Sequence, residues 1–344
     1  MPSFDSPATL AAVVPKPWIV ACCAALTSCE AYDYQLGPGT GPGGTGGGAA
    51  AGGVPGASGA AGSDGAAGSG AVAGGDGGRG FDLGPPFSEP RLVTELSDPE
   101  EHDDDPTLTR DLLEVFFSSQ RAGGQGRGDI WRSTRGSVDD GWEPPVVVEE
   151  LNSEDDETSV AIAPDGLTIW VSTDRDGGLG GTDIWVARRS SRTEAWDDLT
   201  LAQEVSSDGD EILRGIDIGT GDLYLAWRDT EELAYDLYVA VHEPGGGYAP
   251  RRPIDELNTG NNEADPFVAD DARVLYFTAN EGDDDDLVVA ARPSRNEAFA
   301  LVRALDELNS EAADRDPWVS DDQRFIMFAS RRENDQLDLY VATR

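Results

Sequence analysis

The chain has 344 residues, 66 of them acidic and 25 basic, for a formal net charge of −41 at pH 7. This length allows one large domain or two small ones. Because nucleic acids and anionic membrane surfaces are bound through clustered Lys and Arg, this charge argues against both as partners.

The N-terminus is typical of a lipoprotein signal peptide. Lys16 precedes a mostly apolar run, 18–26, which is too short to span a bilayer and suits a signal-peptide core. The run ends in the sequence LTSC, which resembles the bacterial lipobox, so we predict a signal peptide over 1–28 and lipidation of Cys29. Cys22 also fits the lipobox but leaves almost no apolar core after Lys16. An ordinary secretory signal that is cut elsewhere is the alternative.

A glycine-rich segment follows the predicted anchor. Residues 37–84 contain 22 of the 42 glycines in the chain. This composition cannot bury a core and predicts a flexible tether over 29–85, with a root-mean-square span of about 40 Å. All three cysteines precede residue 30, so no disulfide and no cysteine-based metal site is expected in the predicted folded domain, 86–344.

Two landmarks recur at a period near 50 residues in the folded domain. The first is an aspartate followed by an apolar pair, found at Asp129, Asp183, Asp236, Asp286 and Asp338. The second is a leucine or valine followed by Ser or Asn, found at Leu96, Leu151, Val205, Leu257 and Leu308. Such a period, with about four short strands in each unit, is typical of a β-propeller. Solenoids of helix pairs are excluded, because no unit contains a long 3.6-residue periodicity.

The order of strands predicts how the ring closes. In the second unit we predict the outer strand at 145–150, the inner strand at 159–163, the second at 167–173 and the third at 183–189. The repeats begin with an outer-type strand at 90–96 and end with a third-type strand at 338–343. We therefore predict an all-β domain, a five-bladed β-propeller in which the N-terminal strand completes the last blade and removes an open sheet edge.

The repeats also resemble a known family. The second unit has a Pro-Asp-Gly turn at 164–166, then VSTDR at 171–175 and GGLGGTDIW at 177–185, and FFSSQR at 116–121 is similar to the second of these. Residues 86–344 thereby resemble the WD-like propeller repeats of the TolB type, found in bacterial envelope proteins. The resemblance implies a propeller that binds envelope proteins or glycans. The repeat at 212–241 departs most from the pattern.

An arginine and an aspartate eight residues apart flank the turn between the second and third strands in three units. The pairs are Arg121 with Asp129, Arg175 with Asp183, and Arg228 with Asp236. Side chains on neighbouring strands meet across a hairpin, so we predict an ion pair in each. Its repetition indicates a structural role.

Five acids stand just before the predicted inner strands: Asp103, Glu157, Glu211, Glu263 and Asp314. Two residues later, on the same strand face, come Asp105, Ser159, Leu213, Asp265 and Asp316. Inner strands of a propeller begin around one mouth of the central channel, where five carboxylates repel each other unless they are paired. Each acid either caps the turn before its strand or contributes to a channel-mouth site for a ligand or a cation, for which calcium is the candidate. The two hypotheses can coexist, and no other cofactor is expected.

His102 lies in an acidic run at 100–105, which suggests a metal ligand, although surface loops of this composition are usually only solvated. The other histidine, His242, ends a third-type strand. The chain has no Gly-x-Ser-x-Gly sequence, no Cys/His pair and no phosphate-binding loop.

Two classes of function stay open at this point. The first is a non-catalytic, lipid-anchored scaffold whose propeller face engages an envelope protein or polysaccharide. We expect it to be a monomer held in the cell envelope by its lipid alone, at an outer membrane and facing the periplasm or the cell surface. The second is a glycoside hydrolase or lyase-like propeller with carboxylates at the channel mouth, which would need two carboxylates of unequal pKa.

Overall fold

The computed structural model describes residues 81, 83–230, 234–269, 271–280 and 284–344. These residues form twenty β-strands and no helix. No helix long and apolar enough to cross a membrane therefore occurs in this part of the chain. The predicted signal peptide, Cys29 and nearly all of the predicted tether lie outside the described residues.

The strands form five antiparallel sheets of four strands, which are the blades. The inner strands are β2 (Asp103–Leu108), β6 (Glu157–Ile162), β10 (Asp210–Ile216), β14 (Glu263–Ala269) and β18 (Asp314–Val319). The second strands are β3 (Glu114–Ser119), β7 (Thr168–Thr173), β11 (Leu223–Arg228), β15 (Val274–Asn280) and β19 (Phe325–Ser330). The third strands are β4 (Asp129–Thr134), β8 (Asp183–Arg188), β12 (Asp236–Ala240), β16 (Asp285–Ala291) and β20 (Asp338–Thr343). The outer strands are β5 (Val146–Val147), β9 (Thr200–Leu201), β13 (Arg252–Pro253), β17 (Ala300–Ala304) and β1 (Arg91–Leu92).

Blades 1 to 4 run in chain order from β2, and blade 5 combines β18, β19 and β20 with β1. In blade 5, Arg91 pairs with Val341 and Leu92 with Tyr340. The Ser88 amide donates to the carbonyl of Thr343 at 2.7 Å, which extends this pairing. The predicted closure by the N-terminal strand is thereby confirmed, and the predicted five-bladed propeller with it.

Apolar side chains are buried between blades. The described residues form five hydrophobic clusters, and each combines residues of two neighbouring blades. Phe116 and Ile130 of blade 1, for example, pack in one cluster with Val160 and Ile169 of blade 2. The blades therefore stabilise one another, since removal of apolar surface from water is the main favourable contribution to folding.

The leucine landmark extends the short outer strands. Leu151 is fully buried, and the Oδ1 atom of Asn152 accepts from the amide of Ile130 at 2.7 Å. The Nδ2 atom of Asn152 donates to the carbonyl of the same residue at 3.1 Å. Asn258 and Asn309 make the same two bonds in blades 3 and 4. An asparagine thus imitates one more residue of outer strand, which explains why Asn or Ser follows each landmark.

An arginine just after the third strand stacks on an aromatic ring in four blades. The pairs are Arg135 with Trp142, Arg189 with Trp196, Arg292 with Phe299, and Arg344 with Phe87, with the guanidinium carbon 4.2 to 4.3 Å from the ring centre. In blade 5 the ring belongs to the N-terminal segment and the arginine to the C-terminus. The stacking therefore also holds the closing strand.

Candidate ligand-binding mouth of the central channel

The five predicted acids are buried at the amino ends of the inner strands, and each is bonded within its own blade. Glu157 accepts from the backbone amide of Ser153 at 3.0 Å and from its hydroxyl at 2.7 Å. Ser207 and Thr259 donate in the same way to Glu211 and Glu263, and Ser310 does so to Asp314. Asp103 accepts from the amide of Asp98. Each acid therefore satisfies a backbone N–H of the connection that precedes its strand, which is the geometry of a cap.

The predicted pairing of Arg121 with Asp129 and of Arg175 with Asp183 is wrong. Arg121 instead forms an ion pair with Asp103, and Arg175 does so with Glu157 at 2.8 Å. Asp129 and Asp183 accept backbone amides of their own turns. Asp129 and Asp183 are as buried as Asp103 and Glu157, so burial alone does not decide which acid pairs with the arginine.

The third unit repeats this arrangement with a shift. Arg228 bonds Asp210, the residue before the predicted acid, at 2.7 Å. Arg251 comes from the connection before β13 and lies 3.3 Å from Glu211. Burial raises the pKa of Glu211 to about 7, and Arg251 opposes that rise. Burial likewise raises the pKa of Asp103 to about 6 against the effect of Arg121.

The structure does not gather the five acids around one point. A metal site needs at least three His, Cys, Asp or Glu side chains whose ligand atoms lie close together. Among the described residues, one such group has its ligand atoms within 4.8 Å of one another, and it consists of Asp104, Asp105 and Asp316. None of the five predicted acids belongs to that group. Calcium binding by the predicted ring stays a prediction, and the geometry favours the capping hypothesis.

His102 is buried, and its Nδ1 atom accepts from the backbone amide of Leu337 at 2.9 Å. Asp156, Asp210 and Asn262 occupy the same position in blades 2 to 4, and each accepts a backbone amide from the preceding blade. His102 therefore links blades 5 and 1 by a bond that recurs around the ring. His242 stacks on Tyr248, with ring centres 5.6 Å apart.

Three aspartates with left-handed backbone line the channel. Asp105, Asp265 and Asp316 have φ of 52°, 53° and 60°, and a proline follows each in the sequence. The strand register shifts at all three positions. The simple alternation by which the sequence analysis placed these side chains therefore does not hold, because a bulge re-aims them.

Arg214 compensates part of this buried charge. Its Nη1 atom lies 3.2 Å from the Oδ1 atom of Asp105. Its guanidinium also donates to the carbonyls of Pro106, Val160 and Asp316, so that it joins blades 1, 2 and 5 from its own position in blade 3. This role of Arg214 could not be predicted, because the sequence around an arginine in an inner strand does not indicate which groups lie across the channel from it.

Burial keeps these carboxyl groups difficult to ionise. It raises the pKa of Asp105 to about 6, that of Asp316 to about 7 and that of Asp265 to about 8. Mutual repulsion between the carboxylates adds to the rise of each pKa, and Arg214 lowers all three. The channel is therefore a site where protons are held near neutral pH.

A cavity of about 350 Å³ opens at the other mouth of the channel, where the inner strands end. Its wall combines apolar and charged side chains, and the apolar ones include Ile162, Ile216, Phe267 and Trp318, with the rings of the last two 5.7 Å apart. Arg214 also lines it. Ile218, on the turn between β10 and β11, is 53% exposed beside the opening. This cavity, the mouth pocket, is concave and offers both apolar and polar contacts, as ligand sites do.

The carboxylates that line the mouth pocket are Asp217, Asp271 and Asp321. Arg295 forms ion pairs with Asp217 and with Asp271. Arg110 lies 2.6 Å from Asp321. Each of the three carboxylates that line the mouth pocket is therefore paired with a guanidinium.

No family model and no curated protein matches the chain. Among solved structures, an endo-arabinase from Bacteroides thetaiotaomicron is similar over 76% of this chain and 98% of its own, with 12% identity and a TM-score of 0.51. A GH43 β-xylosidase/α-arabinofuranosidase from a compost microbial metagenome is similar over 75% of this chain and 94% of its own, with 10% identity and a TM-score of 0.51. TolB from Acinetobacter baumannii is similar over 75% of this chain, which spans 63% of that protein, with 9% identity and a TM-score of 0.46.

The fold and the channel thus define the chain as a five-bladed β-propeller. At these identities the likeness concerns the fold alone. A propeller fold does not fix an activity, which has to be argued from the site.

Proposed function

We propose that this protein is a non-catalytic binding scaffold of the cell envelope, anchored by lipid at Cys29, whose mouth-pocket face engages an envelope protein or glycan. The observation that carries the proposal is the mouth pocket itself, a cavity with apolar and charged side chains in its wall, with exposed Ile218 beside it and with each lining carboxylate paired to an arginine. Exposed apolar surface next to a cavity is typical of a binding site.

The charges at the mouth pocket are the reason to prefer binding over hydrolysis. A glycosidase needs one protonated and one ionised carboxyl group, both facing the sugar. All three carboxylates that line the mouth pocket, Asp217, Asp271 and Asp321, are instead engaged by arginines. The mouth pocket therefore offers a partner shape and apolar contact, and no described carboxylate that lines it is left unpaired.

A glycoside hydrolase is the second candidate, and the channel aspartates favour it. Asp105, Asp265 and Asp316 have raised pKa values, as an acid catalyst requires. They are buried, however, and the described residues that line the mouth pocket do not include them. Hydrolysis would therefore require a sugar to reach beyond Arg214.

Site-specific photo-crosslinking tests the binding face. We expect benzoylphenylalanine in place of Ile218 to crosslink the protein in intact cells to a discrete envelope component. Leu179 is the matched control, because it is 50% exposed and lies on the turn between β7 and β8, at the opposite end of the strands. Crosslinks of equal yield at both positions, or at Leu179 alone, would contradict the proposal.

A further inference from the structure

A second cavity, of about 390 Å³, lies between blades 3 and 4 at a junction that the chain builds twice. At this junction Arg292 stacks on Phe299, donates from Nε to the carbonyl of Ala272 at 2.6 Å, and donates from Nη2 to the hydroxyl of Tyr224 at 2.9 Å. Between blades 4 and 5, Arg344 makes the equivalent contacts with Phe87, Gln323 and Tyr276. The two junctions therefore share one design.

The junction of blades 4 and 5 is closed by two acceptors. Both terminal nitrogens of Arg303 donate hydrogen bonds to the carboxylate of Glu307, at 2.6 and 2.7 Å. The side chain of Gln323 accepts the hydroxyl proton of Tyr276 at 2.9 Å. Arginine and tyrosine donors are thus both satisfied inside the protein.

The junction of blades 3 and 4 differs at both acceptors. Arg252 holds the strand position of Arg303, and Glu256 accepts from the amide of Phe299 as Glu307 accepts from that of Phe87, but no described bond joins Glu256 to Arg252. Ala272 replaces Gln323 at the same left-handed backbone, with φ of 57° against 55°. No described residue accepts from Arg252 or from the hydroxyl of Tyr224, and no described carboxylate pairs with Arg292.

These donors converge on the cavity. Arg252, Arg292 and Tyr224 all line it, and both arginines act electrostatically on the Tyr224 hydroxyl. Glu256 and Glu297 line it as well; Glu256 accepts from the Phe299 amide of the neighbouring blade, and Glu297 accepts from the Ser294 hydroxyl.

We propose that the cavity between blades 3 and 4 binds an oxyanion, such as the phosphate group of a soluble metabolite, of a glycan or of a lipid headgroup. Arg252 and Arg292 supply charge-assisted hydrogen bonds, and the hydroxyl of Tyr224 supplies a third donor. The ligand supplies the acceptor oxygens that Glu307 and Gln323 supply to the arginine and the tyrosine at the next junction. This site is separate from the mouth pocket and stands independently of the proposed function.

Titration calorimetry of the full chain with inorganic phosphate tests this site. We expect Arg252→Ala to weaken phosphate binding by about tenfold, the effect of one charge-assisted hydrogen bond. Arg91→Ala is the matched control, because Arg91 is exposed at the equivalent strand position of blade 5 and should leave the affinity unchanged. Equal affinity of the wild type and Arg252→Ala, or no binding by the wild type, would overturn the proposal.

Ala272→Gln provides a second variant that does not remove a charge. It introduces the glutamine acceptor that the junction of blades 4 and 5 has. Gln323 at that junction has the same left-handed backbone as Ala272, so the glutamine fits the conformation. We expect phosphate affinity to fall in this variant with the melting temperature maintained. Undiminished affinity in a folded Ala272→Gln protein would argue against the site.

The source of the anion is then distinguished with glucose 1-phosphate and with phosphatidic acid vesicles, both tested on the full-length Cys29→Ala variant. Binding of the sugar phosphate alone assigns a soluble or glycan phosphate. Vesicle binding that inorganic phosphate displaces, with no binding to phosphatidylcholine vesicles, assigns a lipid headgroup.

Discussion

At the scale of single residues, the structure repeats one arrangement in all five blades. A buried acid caps the connection before its strand, as at Glu157, and in four blades it also pairs with an arginine. The acid position was predictable because it recurs with the repeat. Its arginine partner was not, since Glu157 and Asp183 are both buried acids near Arg175 in the repeat, and sequence spacing does not reveal which of them pairs with it.

Replacing Glu157 tests the cap. Glu157 accepts hydrogen bonds from Ser153, Thr173 and Arg175, so Glu157→Ala should lower the free energy of unfolding by about 3 kcal/mol, as for a broken buried ion pair. Asp155→Ala, at an exposed position of the same connection, should change it by less than about 0.5 kcal/mol. Urea denaturation measures both. A calcium-dependent rise in melting temperature that Glu157→Ala abolishes would show instead that the acid serves a cation.

The channel aspartates predict how stability depends on pH. In the folded protein the pKa of Asp265 is raised to about 8, whereas an unfolded aspartate titrates near 3.8. Between these values the folded state holds a proton that the unfolded state has released, so stability falls as the pH rises from 4 to 8. Asp265→Asn, which imitates the protonated group, should flatten that slope in melting experiments, whereas Asp271→Asn at an exposed position should not. A slope that is unchanged in Asp265→Asn would contradict the raised pKa.

At the scale of elements, the strands and their order followed from the sequence, while the bulges did not. The leucine landmark marks the outer edge of each blade, because its amide donates to the carbonyl three residues earlier in every repeat. The aspartate landmark lies at or next to the start of each third strand, and Asp129 and Asp183 accept backbone amides of the preceding turn. Asp105, Asp265 and Asp316 break the alternation because each adopts a left-handed backbone. The two cavities also could not be predicted, since all five blades line the mouth pocket and the packing of blades 3 and 4 forms the other cavity.

Truncation tests the closing strand. Removal of residues 1–85 keeps Phe87, Arg91 and Leu92 and should leave melting of the propeller unchanged. Removal of residues 1–95 exposes the edge of β20 and the ring of Tyr340, and should remove a large part of a total stability of about 5–15 kcal/mol. Equal melting temperatures of the two proteins would contradict closure by β1.

At the scale of the whole molecule, the proposed design is a lipid anchor, a long tether and a closed propeller with its mouth pocket available to a partner. The anchor is tested first. If Cys29 is lipidated, a fatty-acid probe should label the protein, and Cys29→Ala should release it from membranes. The matched variant Cys22→Ala should stay bound. Retention of Cys29→Ala on membranes would contradict the proposed anchor.

The proposal that the propeller binds and does not catalyse is tested most directly by hydrolysis. Three proteins are compared: the wild type, Asp316→Asn and Asp271→Asn. Each is incubated with arabinan and xylan oligosaccharides and with aryl arabinofuranosides and xylosides. Released sugar is measured against a blank without protein. The account predicts that all three proteins match the blank. Turnover by the wild type and by Asp271→Asn that Asp316→Asn abolishes would contradict it and make the buried channel aspartates catalytic.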